Sequence, residues 1–220
     1  MRAGSRRNSV PTVQNAVPTV EHSVAARTLQ GRSEAYAEEV RRLVDATYAV
    51  MRRTGDIDPR VADIVTESRL SNQAFYRHFK GKDELLLSVL DDGQRRLVSY
   101  LEARMARMEP GAPRVRAWIE GVLEQARNPD AAANTRPFAV NSARLADRFP
   151  TESAASREHV VVPLRTAVED AGGDPQRDAD AIYHLAMGRV SDALARGDQP
   201  SRNEVAHLVE FALGGLHAGT

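Results

Sequence analysis

The residues best placed to do chemistry lie close together. From Arg69 to Lys82 the chain carries four Lys/Arg residues and one His, and no acid. Within it, the stretch SNQAFYRHFKGK (71–82) sets the amides of Asn72 and Gln73 beside Tyr76, Arg77, His78 and Lys82. Asn and Gln make bidentate contacts to adenine, a small residue such as Ala74 can meet a thymine methyl, and Tyr, His and Lys suit phosphate oxygens. An ordinary polar helix face is the competing reading, but a run without acids that mixes amides, Tyr, His and Lys is uncommon on such faces. Catalytic patterns are missing elsewhere. There is no G-x-S-x-G, G-x-x-x-x-G-K-[ST] or G-x-G-x-x-G, and the six histidines (22, 78, 159, 184, 207 and 217) show no H-x-x-x-H spacing. No enzyme activity, cofactor or metal is therefore expected. Acidic pairs such as Glu38-Glu39 and Asp91-Asp92 read as solvated charge.

The elements that must hold these residues are helices. Alanine occurs 33 times against 4 isoleucines, and aromatics make up 5% of the 220 residues, a balance that favours an all-α fold. The 42% apolar fraction can build a core. The longest apolar candidate, Leu85–Leu90, is far shorter than the roughly 18 residues of a spanning helix, so no membrane partner is expected. Without cysteine there are no disulfides or thiolate metal sites, which fits a cytoplasmic location. The formal charge is zero, but residues 1–90 hold 14 Lys/Arg against 11 Asp/Glu, leaving room for a local DNA-binding face.

Residues 1–32 read as a disordered tail, with Arg2, Arg6 and Arg7 as the alternative of an arm along DNA. From Ser33, the spacing of Tyr36, Val40, Leu43, Val44, Thr47 and Val50 predicts a first helix ending near Gly55. Asp58-Pro59 predicts the start of a second, with Asp as N-cap, ending near Ser68. Ser71 opens a third, which carries Ala74, Phe75 and Phe79 inward and which Lys80-Gly81 ends, and a long helix follows from Lys82 to about Met108. Pro and Gly cut the remainder at 110–113, 128–130, 149–153, 172–175 and 197–201, for about nine helices. Two short helices joined by about four residues across a third make a helix-turn-helix, whose second short helix enters the major groove. Residues 33–84 are expected to form this DNA-binding domain, and 85–220 a larger helical domain.

Residues 58–90, DPRVADIVTESRLSNQAFYRHFKGKDELLLSVL, resemble the DNA-binding domain of the TetR family of transcriptional regulators, through DIV at 63–65, FYRHF at 75–79 and Lys82-x-x-Leu85-Leu86. The resemblance implies base contacts at Asn72, Gln73 and Ala74, with Arg77 and Ser71 as further DNA-binding candidates. It implies phosphate contacts at Tyr76, His78 and Lys82, with Arg60 also in reach of the backbone. Two positions depart from the family pattern. Ser68-Arg69 stands where a small residue and then Gly are usual, so a left-handed Arg69 would cost of order 1 kcal/mol, and Asp58 stands where Thr is common.

The resemblance also implies a homodimer formed through helices near Ser153–Ala171 and Gln176–Arg196, an operator of double-stranded DNA with an inverted repeat, and a small-molecule effector of unknown identity. The implied ligand pocket draws on Trp118, Phe138, Phe149, Asn141, Arg144, Tyr183, His184 and Met187, each of which is also a candidate for ordinary core or surface. Arg144, between Val140 and Leu145, makes an anionic or carboxylate-bearing ligand conceivable. The expected function is a dimeric repressor released by a small molecule. The alternatives are a regulator of the same fold with no effector, or an activator. A concave pocket with unpaired polar groups separates the first reading from the second.

Overall fold

The computed structural model describes residues 20–56 and 58–217, with side chains from residue 30 and without those of Phe138 and His217. Among the described residues every regular element is an α-helix: α1 (Val20–Thr54), α2 (Val61–Ser68), α3 (Asn72–His78), α4 (Lys82–Met105), α5 (Ala112–Arg127), α6 (Pro129–Arg148), α7 (Pro150–Asp170), α8 (Arg177–Arg196) and α9 (Arg202–His217). None of these helices is long and apolar enough to cross a membrane. The first helix begins at Val20, so residues 20–32 of the expected tail are helical; Arg2, Arg6 and Arg7 lie outside the described residues.

The chain divides into two compact units, 1–39 and 40–220. In the first, side chains 30–38 are exposed, and Gln30 donates to Glu34 at 2.9 Å. Tyr36, placed in the inward stripe by spacing, is 50% exposed.

In the second unit the apolar stripe of α1 meets α2, α3 and α4. Leu43, Val44, Ile64, Val65, Phe75, Phe79, Leu85 and Val89 form one core. Thr47 sits in that stripe fully buried, its hydroxyl satisfied by the Leu43 carbonyl at 2.7 Å. A second cluster of Met51, Leu86 and Leu145, with Leu90 and Phe149 against it, joins α1 and α4 to α6. The largest core unites α4, α5, α7, α8 and α9 around Leu101, Trp118, Leu123, Leu164, Val168 and Val209. Gly121 lets α4 and α5 approach: a Cβ there would lie 2.6 Å from Leu101 Cδ2. Of the apolar residues on α7 and α8 that suit either this core or a dimer interface, Val160, Val161, Leu164, Val168, Ile182, Ala186, Val190 and Leu194 are buried within the chain, and Leu185 is half-buried.

Several helix starts follow local chemistry. Asn128 accepts from the backbone N–H of Asp130 and Ala131, so the Asn-Pro that ends α5 also caps α6. At α9, Ser201 and Glu204 form a reciprocal capping box, Ser201 N–H donating to Glu204 at 2.7 Å and Glu204 N–H to the Ser201 hydroxyl at 3.2 Å. The Ser201 N–H, with Arg189 at 3.0 Å, holds the Glu204 carboxyl down at about 2.

Candidate nucleic-acid interface and ligand cleft

A helix as short as α3 gains little from its own hydrogen bonds, so tertiary packing must hold it. Phe75 is fully buried, with the Phe79 ring 5.9 Å away, and Ser71 caps the helix by accepting from Ala74 N–H at 3.0 Å. The connecting turn takes a left-handed conformation at Arg69, with φ 55° and ψ 33°, which is the strained alternative for this non-glycine residue. Its backbone N–H still bonds Thr66, and the next one bonds Val65. From α1, Arg42 reaches across to donate to the carbonyls of Ser68 at 2.5 Å and Arg69 at 3.2 Å. This clamp on the turn has no local sequence signal, because 26 residues separate Arg42 from Ser68.

With the turn held, α3 exposes Asn72, Gln73, Tyr76 and Arg77, Tyr76 at 62%. Arg60 and Ser71 are also exposed, and His78 is half-buried. Ala74 needs one correction: of its two expected placements, inward packing and reach to a base, it takes the first, 6% exposed beside Phe75.

The start of α2 needs a second correction. Its N-cap is Arg60, in extended backbone and without a side-chain cap, rather than Asp58. Asp58 instead receives Lys82 Nζ at 2.7 Å and Arg144 Nη2 at 3.3 Å. The run 69–82 is therefore free of acids in sequence but not in space. Arg144 also bonds Asp83 at 2.8 Å, and Arg148 bonds the same carboxylate at 2.6 Å. The resulting chain of charges, Lys82–Asp58–Arg144–Asp83–Arg148, ties the end of α6 to the approach to α2 and the start of α4.

A cleft of about 1130 Å³ is lined by α1, α4, α5, α6, α7 and α8. Tyr183 and Met187 line it as expected. The other expected residues are placed elsewhere. Trp118 is fully buried in the main core, donating to the Val160 carbonyl at 3.3 Å. Asn141 is buried and spends its amide on the Pro137 carbonyl and on Arg144. Arg144 belongs to the charge chain, His184 is exposed beside Arg157, and Phe149 packs on the Met51 cluster. The side chain of Phe138 lies outside the described residues. In place of these residues the lining presents Gln94 and Leu97 of α4, Asn134 and Thr135 of α6, and Ser153 and Arg157 of α7. Burial and the nearby Asp92 push the phenol of Tyr48, on the α1 side, well above its usual range, and burial also raises that of Tyr183. Gln94 Oε1, Ser153 Oγ and Arg157 Nε are buried without a hydrogen-bond partner. No cluster of His, Cys, Asp or Glu among the described residues could hold a metal.

Residues 43–89 match the family model described as bacterial regulatory proteins, tetR family. No functionally curated protein matches the sequence. Among solved structures, the chain is similar to GusR from Salmonella enterica (18% identity, TM-score 0.60, covering 81% of this chain and 95% of that one). It is likewise similar to a transcriptional regulator from Rhodococcus sp. Rha1 (21%, TM-score 0.58, 82% and 96%). A TetR transcription regulator from Haloarcula marismortui aligns over 83% of this chain and 98% of its own, with 18% identity and a TM-score of 0.58.

Proposed function

We infer that this chain, a TetR-family transcriptional regulator by the match of residues 43–89 and by its fold, works as a dimeric repressor that a small molecule releases from an inverted-repeat operator. The observation that carries the reading is the α3 face. Asn72, Gln73, Tyr76 and Arg77 project from a short helix fixed by a buried Phe75 and a clamped turn. In the major groove Asn72 and Gln73 read base edges, with Arg77 beside them, while Tyr76, His78 and Lys82 hold phosphates, with Ser71 and Arg60 at the margin.

Release needs a second site with differential affinity for two forms. The cleft supplies it, and its unpaired polar atoms favour an effector over a regulator that has none. One helix links cleft and DNA side: α6 lines the cleft through Asn134 and Thr135 and ends in Arg144 and Arg148, bonded to Asp58 and Asp83. A ligand that binds better when α6 is displaced pulls on Asp58, and through it on Lys82 and the approach to α2. Dimerisation uses the outer faces of the late helices, where Val162 (49% exposed) and Phe211 (67%) leave apolar surface outside the core.

Selection of the purified protein on random duplex DNA at about 0.15 M salt, where non-specific phosphate binding is weak, tests this. Enrichment of an inverted repeat is expected, and the position of that repeat relative to promoters separates repression from activation. A single half-site would remove the dimer, and enrichment of no sequence would remove the reading.

A further inference from the structure

Among the cations lining the cleft, Arg52 sits on the α1 side with Tyr48 and pairs with no acid among the described residues, whereas the charges around Arg157 are matched within the protein. Arg157 directs Nη2 to Asp180 at 3.1 Å and lies 4.9 Å from the Tyr183 ring centre. Arg96 meets Asp92 at 2.8 Å, Arg104 meets Glu120 at 2.6 Å, Arg95 meets Asp91 at 2.7 Å, and Arg127 meets Glu124 at 3.5 Å. What remains unmatched is three buried hydrogen-bonding atoms: Gln94 Oε1, Ser153 Oγ and Arg157 Nε. All three residues line the cleft. Ser153 and Arg157 are one turn apart on α7. Gln94 is one turn beyond Asp91 on α4, and Asp91 accepts from Ser156 of α7 at 2.9 Å. That contact gathers the three onto one stretch of lining, next to Leu97, Tyr183, Met187 and Val190.

The Arg157 N–H and the Ser153 hydroxyl call for an acceptor, and the Gln94 oxygen calls for a donor. A carboxylate would satisfy the first two but bring a charge that the cation beside it cannot match, because Asp180 already matches Arg157 and Arg52 stands on the α1 side. Burying an unmatched charge costs far more than burying a hydrogen-bonded dipole. We propose that the cleft takes an uncharged amphiphile: an apolar body containing an aromatic ring, and a polar end where an acceptor sits beside a donor, as in a carboxamide or a hydroxyketone. The ring packs against Tyr183 and Met187. The acceptor takes Arg157 Nε–H and Ser153 Oγ–H, and the donor meets Gln94. This proposal rests on reading the cleft as the effector site.

The test is calorimetric titration of the full-length protein with 2-naphthamide, 2-naphthoate and naphthalene, which share a ring system and differ in polar end. The amide is expected to bind at least about tenfold more tightly than the carboxylate and than the bare hydrocarbon, since a site built to hydrogen-bond rejects partners that leave it unpaired. Gln94→Met and Ser153→Ala, each checked by thermal melting for an intact fold, are expected to lower affinity for the amide about tenfold and leave naphthalene unaffected. The carboxylate binding as tightly as the amide, no binding of the amide at millimolar concentration, or amide affinity indifferent to both variants would each overturn the proposal. The same amide is then added to the complex with the selected operator. If it binds with the expected preference but leaves the DNA complex intact, the ligand class stands and the release mechanism fails. If the operator is bound normally and no amide binds, the ligand class fails and the DNA-binding reading stands.

Discussion

On α3 Asn72, Gln73 and Tyr76 stand exposed to solvent; in the cleft, Gln94, Ser153 and Arg157 each keep one polar atom buried and unpaired. The first arrangement comes from one helix, Asn72–His78, and needs only that Phe75 and the Arg69 turn be fixed. The second is assembled by six helices, and no two of its three unpaired residues lie next to each other in the chain. An exposed face can change its contacts at little cost to the fold. Buried polar atoms cannot, because each must be answered by the fold, by water or by a ligand.

The sharpest way to break this comparison is to remove the support of one region and watch the other. Phe75→Ala is expected to lower the unfolding free energy by about 3–5 kcal/mol, read by urea denaturation, and to abolish operator binding while calorimetry still finds the cleft functional. Loss of both activities together would show that face and cleft rise and fall as one cooperative unit. A smaller effect is expected at the junction. Asp58→Asn frees Lys82 from an exposed ion pair worth under about 1 kcal/mol, so affinity for the operator should rise a few-fold at fixed salt. An unchanged affinity would mean that Lys82 does not reach a phosphate.

These two changes also mark what the sequence made legible. The helical pattern, the capping Ser71 and the acid-free run at 69–82 are local, so the all-α layout and the exposed members of the α3 face could be read in advance. Ala74 was read both ways, packed inward and meeting a base, because so small a residue suits either side of one short helix. The Arg42 clamp and the Asp58–Lys82 pair join residues 26 and 24 apart, and spacing carries no information about them. The cleft suffered most. Trp118 and Asn141 are as compatible with core as with lining, and only packing shows that Trp118 bonds Val160 and that Arg144 is drawn away to Asp83. Gln94 and Ser153 gave no signal at all, being polar residues on amphipathic helices.

Two finer tests set local against tertiary control. Arg69→Gly relieves the left-handed backbone but loosens the unfolded chain, so a net gain within about 1 kcal/mol is expected in thermal melts; a loss would mean that the Arg69 side chain contributes contacts exceeding the strain. The smallest effect belongs to α9. The folded protein holds Glu204 at about 2, below its ordinary 4.5, so its contribution is complete above about 4.5 and fades as pH falls toward 2. The melting temperatures of the protein and of Glu204→Gln should therefore differ near neutrality and converge over that acid interval. A difference that persists at pH 2 would assign it to something other than the carboxylate.

The Asp58–Lys82 pair bears on how ionic strength acts. A cation that docks on DNA from water releases counterions, and each phosphate neutralised steepens the dependence of affinity on salt by roughly 0.9 in log–log slope. Lys82 does not start free. When it turns to a phosphate it leaves Asp58, which gathers cations back from solution unless Arg144 takes up the full charge. The chain's grip on DNA should thus be less sensitive to salt than a count of its contacting cations implies.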